Sequence, residues 1–106
     1  NVKQALWLGL PDMREPNLQR HIEEANRIAR AQIQARSRIA YFDTQRLLSR
    51  EPGKFSSYVL GKNGMPIHVR AQDGIHLQRA GAEMLAREIV VWLETQGILT
   101  KPAAGK

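Results

Sequence analysis

A strand, a long amphipathic helix and a second strand follow one another at the front of the chain, and this order limits the fold more than any other feature. Ala5 to Leu10 is a nearly continuous apolar run that ends around Gly9, Pro11 and Asp12. Continuous rather than alternating apolar residues predict a strand buried on both faces. Pro11 and Pro16 bracket a turn, and Asn17 is the expected cap of a helix from Leu18 to about Arg36. Leu18, Ile22, Ala25, Ala29 and Ile33 recur at helical spacing, and Ile28 widens the stripe. Ser37 breaks the pattern, and Arg38 to Phe42 reads as a second strand ended by Asp43. A βαβ unit of this kind requires parallel strands and a right-handed crossover. The fold class is therefore α/β, and 106 residues leave room for one domain at most.

The second half is less regular. Leu47 to Leu60 is loop-like around Pro52 and Gly53, with Phe55, Tyr58, Val59 and Leu60 as an irregular strand. Gly61-Lys62-Asn63-Gly64 is a hairpin turn signal. Pro66 to Arg70 is the return arm, and Pro66 fixes it as an edge. The hairpin is expected to protrude and to wall one side of a site. A last helix runs from about Ala80 to Gln96 and stops at Gly97. Its buried stripe is Ala82, Leu85, Ala86, Ile89 and Leu93, with Trp92 assigned to the core. Residues 1–98 form the domain and 99–106 a mobile tail.

Arg70-Ala71-Gln72-Asp73-Gly74-Ile75-His76-Leu77 carries the chemistry. His76 near pH 7 can take a proton from a hydroxyl and pass it to a leaving group. A carboxylate on its other ring nitrogen, supplied by Asp73, fixes the tautomer and stabilises the imidazolium. Gly74 permits the bend that lets both side chains face one point. The plain alternative is an Asp-Gly turn before a helix, with a histidine that packs or meets water. Asp12 and Asp43 lie at carboxyl ends of strands, where α/β sheets place their sites. Each either touches a ligand or caps a turn or helix. Arg14 either contacts substrate or is a surface arginine, and Arg70 either holds substrate or braces the loop. His21 and His68 lack the further ligands of a metal cluster.

Asp-Gly-Ile-His-Leu, followed by Ala-Gly-Ala and an apolar helix, resembles the last sequence block of the SGNH/GDSL hydrolase superfamily. Leu6 to Arg14, Tyr41 to Thr44 and Val69 to His76 are similar to segments of a bacterial cell-envelope branch whose members are largely of unknown function. The resemblance spans about residues 2 to 97. It implies a three-layer α/β/α, flavodoxin-like fold, and Asp73 and His76 as the catalytic pair of a serine esterase, deacetylase or O-acetyltransferase. Acylated cell-envelope glycans or small esters would be the substrates, in the periplasm or envelope, with no cofactor. One departure is small: many relatives have Thr-Pro after the histidine where this chain has Gln78-Arg79, which removes a helix cap. The other is large. The Gly-Asp-Ser nucleophile block, the oxyanion-hole Gly and an Asn are missing, and Ser37, Ser49, Ser56 and Ser57 lack that context. The chain thus resembles the C-terminal half of such a domain. Its expected partner is the N-terminal half, and a bare sheet edge offers a route to oligomers.

The alternatives rest on charge. A net charge of +6 permits binding to anionic glycan, lipid or nucleic acid. The basic residues Arg20, Arg27, Arg30 and Arg36 are mixed with Glu23 and Glu24, which reads as a solvated face. Without a basic block, interleaved aromatics or a helix-turn-helix, nucleic acid is not an expected partner. A non-catalytic module binding anionic glycan or lipid is the second reading. No apolar run approaches the roughly 20 residues of a bilayer span. The absence of cysteine excludes disulfides, thiolate metal sites and a cysteine nucleophile.

Overall fold

The computed structural model describes residues 4–98, so the tail expected over 99–106 lies outside the described residues. Strand β1 (Ala5–Leu8) and strand β2 (Ile39–Phe42) pair in parallel, Ala5 opposite Ile39 and Leu8 opposite Phe42. Helix α1 (Pro16–Gln34) connects them, as the apolar periodicity requires. It starts earlier than Leu18 because Pro16 has the backbone angle of a first helical residue and no N–H to leave unpaired. The cap is Glu15, not Asn17: its carboxylate accepts from the amides of Asn17 and Leu18 at 3.1 and 2.8 Å.

The buried stripe of α1 also differs from the apolar pattern. Ile22, Asn26 and Ile33 are buried, whereas Leu18, Ala25 and Ile28 face solvent. Asn26 earns its place through hydrogen bonds. Its Oδ1 accepts from Leu10 N at 2.8 Å, and its Nδ2 donates to Leu10 O at 2.9 Å, which ties the helix to the chain just after β1. Strand β1 is not buried on both faces: Trp7 is 52% exposed, and Leu8 and Leu10 are also open. Among the described residues the sheet has two strands and α1 packs on it, so apolar continuity is present without a second cover.

A short helix α2 (Thr44–Leu48) follows β2, capped by Asp43, whose Oδ1 accepts from Arg46 N at 3.1 Å. The stretch predicted as loop from Leu47 onward thus starts within a helix. Strands β3 (Tyr58–Leu60) and β4 (Pro66–His68) form the expected antiparallel hairpin, Val59 opposite Ile67. Its turn is closed by Gly61 N to Met65 O at 2.8 Å and Gly64 N to Gly61 O at 3.0 Å, with Gly64 in the left-handed region. That makes a three-residue loop rather than a two-residue Asn-Gly turn. The hairpin does not simply protrude. Val59 joins Leu48 and Val69 in a buried cluster, with Leu47, Ile67, Leu77 and Met84 packed around it.

Helix α3 (Arg79–Thr95) closes this second layer. Its contact point is Gly81, the one residue of α3 that is fully buried. A Cβ added there would collide with the Val69 backbone, so glycine is required for the helix to rest on that strand end. Ala82 and Ala86 are exposed, contrary to the expected stripe, and Trp92 is half-buried rather than core. The close approach at Gly81 rotates the contact onto Gly81, Met84 and Leu85. No helix among the described residues is long and apolar enough to cross a membrane.

Candidate active site

Residues 70–77 fold into a loop that closes on itself. Arg70 and Leu77 form an antiparallel bridge, Ala71 N donates to His76 O at 2.8 Å, and Gly74 N donates to Ala71 O at 3.1 Å. Gly74 has φ +73, a conformation that L side chains rarely adopt, and an added Cβ would lie 2.8 Å from Arg14 Cβ. The bend expected from the sequence is therefore a positional requirement for glycine. Gln78 then begins α3 without a side-chain cap.

Asp73 uses both carboxylate oxygens. Oδ1 accepts from Ile75 N at 2.8 Å and His76 N at 2.9 Å, which shapes the loop. Oδ2 lies 2.5 Å from His76 Nδ1. The hydrogen bond from the imidazole, then the amides of His76 and Ile75, hold the Asp73 carboxyl well below the usual carboxylate range. An ionised carboxylate can only accept, so Nδ1 carries the proton, the tautomer that puts the lone pair of a neutral imidazole on Nε2. The His76 side chain is 78% exposed, and Nε2 makes no hydrogen bond among the described residues. The structure thus brings Asp73 and His76 within hydrogen-bond distance on one loop.

The loop is fastened to the chain just beyond β1, at the carboxyl edge of the parallel pair. Arg70 is 1% exposed, and its guanidinium donates from Nη1 to Asp12 O at 2.5 Å and from Nη2 to Ile75 O at 2.7 Å. It braces the loop and offers no open edge to a ligand. Burial lowers its affinity for the proton, and the charges of Asp12 and Asp73 oppose that. Arg14 makes a second seam, with its amide donating to Gly74 O at 3.3 Å and Nη1 to Gln72 O at 2.7 Å. The Phe55 ring lies under both cations, 4.9 Å from Arg14 Cζ and 5.1 Å from Arg70 Cζ.

Asp12 has a role that sequence reasoning missed. Its carboxylate is fully buried and accepts from Gln19 Nε2 (2.7 Å), Gln45 Nε2 (2.6 Å), Ser49 Oγ (2.6 Å) and Gly53 N (3.1 Å). It joins α1, α2 and the following loop beneath the site and is closed to ligands. Asp43 is a helix cap that also stands 3.8 Å from Arg30. His21 and His68 are exposed and outside the loop, and no cluster of three metal-binding side chains occurs among the described residues.

The basic residues on and just after α1 are largely engaged by neighbouring groups. Arg27 pairs with Glu24, Arg20 bonds Asn17, Arg36 donates to Gln32 O, and Arg30 covers the Tyr41 ring. A broad open groove of about 1190 Å³ lies between the α2 region, the hairpin and α3; Phe55 lines it, and Asp73 and His76 do not.

The molecule is thus a mixed α/β chain with parallel strands, an antiparallel hairpin and a C-terminal helix, carrying a hydrogen-bonded Asp–His pair at the sheet's carboxyl edge. Its family model, described as a protein of unknown function (DUF459), matches residues 1–92, and the chain belongs to that family. No curated protein matches it.

Proposed function

We propose that this chain supplies the Asp–His arm of an SGNH-type serine esterase or O-acyltransferase, with His76 as general base and then general acid, and Asp73 as its orienting carboxylate. The observation that carries the reading is the 2.5 Å contact of Asp73 Oδ2 with His76 Nδ1, which leaves Nε2 open to solvent. Membership of DUF459, a family associated with SGNH-like hydrolases, supports it. In the reaction, Nε2 removes the proton of a serine hydroxyl as the oxygen attacks the ester carbonyl. The tetrahedral oxyanion collapses, His76 returns the proton to the departing alkoxide, and an acyl-serine remains. Water or a sugar hydroxyl, deprotonated by the same nitrogen, then releases the acyl group.

The serine comes from a partner region outside this chain. Ser49 Oγ donates to Asp12 in the interior, Ser56 Oγ accepts from Arg50 N, and no serine hydroxyl bonds His76 among the described residues. The apolar residues Trp7, Leu8 and Leu10 on the open side of β1 suit the docking of that region. Acylated glycans of the cell envelope are the proposed substrates. The test is labelling with a fluorophosphonate serine probe, read by peptide mass spectrometry. The full-length protein should label at a serine outside residues 1–106, His76→Ala should not, and the isolated chain should stay unlabelled. Labelling of Ser37, Ser49, Ser56 or Ser57 would overturn the reading.

A further inference from the structure

The two arginines at Phe55 are not equivalent. Arg70 spends its guanidinium on backbone carbonyls in the interior, whereas Arg14 is exposed and held by one nitrogen. Nη1 of Arg14 is fixed on Gln72 O and the plane lies over Phe55, which sets the direction of the side chain. Nε and Nη2 make no hydrogen bond, and no carboxylate lies within ion-pair distance of Arg14 among the described residues. Asp73, the nearby carboxylate of the loop, is committed to His76 and to two amides. The cation therefore stands at the lip of the dyad loop, bonded to residues on both sides of Asp73.

We infer that Arg14 sets specificity by binding an oxyanion, carboxylate or phosphate, carried by the substrate close to its ester. The Nε–Nη2 edge of a guanidinium presents two parallel N–H groups that match two oxygens of either group. Lysine lacks that fork, and a guanidinium fixed in advance by Gln72 and Phe55 loses less freedom on binding. Phe55 also lines the groove where Arg46, Arg50, Lys54, Lys62 and Arg87 outnumber Glu51, Glu83 and Glu88, a modest excess of positive charge beside Arg14. This inference rests on the reading of Asp73 and His76 as catalytic for its location, and on Arg14 alone for its chemistry.

Calorimetry on the full-length protein tests it, with methyl glucuronoside and glucose 6-phosphate as charged probes and methyl glucoside as the neutral control. At least one charged probe should bind tightly relative to the glucoside, and the two charged arms tell carboxylate from phosphate. Arg14→Gln should weaken that binding about tenfold or more, a change of about 1.4 kcal/mol. Arg14→Lys should recover part of it, and His76→Ala should leave it unchanged. Added salt should weaken the charged probe and not the glucoside, which needs no variant at all. Equal binding of charged and neutral sugars, or wild-type affinity in Arg14→Gln, would overturn the inference. Failure of the catalytic reading is separate: His76→Ala would then keep its turnover while the binding results stood.

Discussion

Asp12 and Asp73 both act on Arg70 through their charge, yet their surroundings are opposite. Asp12 is sealed among four donors from three segments, and none of its lone pairs is left for a ligand. Asp73 sits on an exposed loop, spends one oxygen on that loop and turns the other toward a solvent-facing imidazole. The same side chain is structural where it gathers neutral donors in the interior. It is suited to chemistry where it polarises one titratable partner at the surface. Arg70 links the two, with one nitrogen on the Asp12 carbonyl and one on the Ile75 carbonyl.

The contrast predicts a large difference in stability. Asp12→Ala would strand the side chains of Gln19, Gln45 and Ser49 and remove one of the two carboxylates whose charge acts on buried Arg70. Its cost should be about 3–5 kcal/mol in urea denaturation, because several buried donors, each costing about 1–3 kcal/mol when unpaired, lose their acceptor together. Asp73→Ala should move the midpoint far less. A cost below about 1 kcal/mol for Asp12→Ala would break the comparison, since buried unsatisfied donors cost more than that.

Arg70→Ala comes next, at about 2–3 kcal/mol for the loss of charge-assisted hydrogen bonds in the interior. Because Arg70 holds the dyad loop from behind, melting temperature and kcat should fall together in the full-length protein. A rise in KM with an unchanged melting temperature would instead mean that Arg70 meets substrate.

The smallest effect is in the pH dependence. Asp73 is depressed in the folded chain, so its contribution to stability is present above the unfolded carboxyl value, near 3.9, and is lost as pH falls through the folded value. Thermal melts of the wild type and Asp73→Asn should differ by a constant amount from about pH 5 to 6 and converge below about pH 4. Salt should shrink the difference, because the pair is solvent-exposed. A gap that widens on acidification would contradict the hydrogen-bonded carboxylate.

What could be read in advance divides along the same line. The βαβ order was legible because apolar continuity and a 3.6-residue period are properties of single residues in sequence. The dyad was legible because Asp, Gly and His at that spacing bring their side chains together locally. Asp12, Asn26 and Arg70 were not assigned to the interior, because a pattern that equates burial with apolar residues has no signal for a polar group buried by its partners. Those partners come from distant segments: Gln45 and Ser49 for Asp12, Leu10 for Asn26, Ile75 and Asp12 for Arg70. Helix α2 is a single turn and a little more, too short for a period to show. Gly81 carries no local signal for its role, because the need for glycine there comes from the Val69 backbone.

Steady-state hydrolysis of an aryl acetate by the full-length protein tests the central assignment most directly. His76→Ala should abolish nearly all turnover. Asp73→Asn should lower kcat by up to about 10⁴-fold, because the imidazole remains but loses its tautomer and counter-charge. Both variants should stay folded, since the two side chains are exposed and outside the buried cluster. Near-normal kcat in folded His76→Ala would contradict the account, whatever Asp73→Asn does.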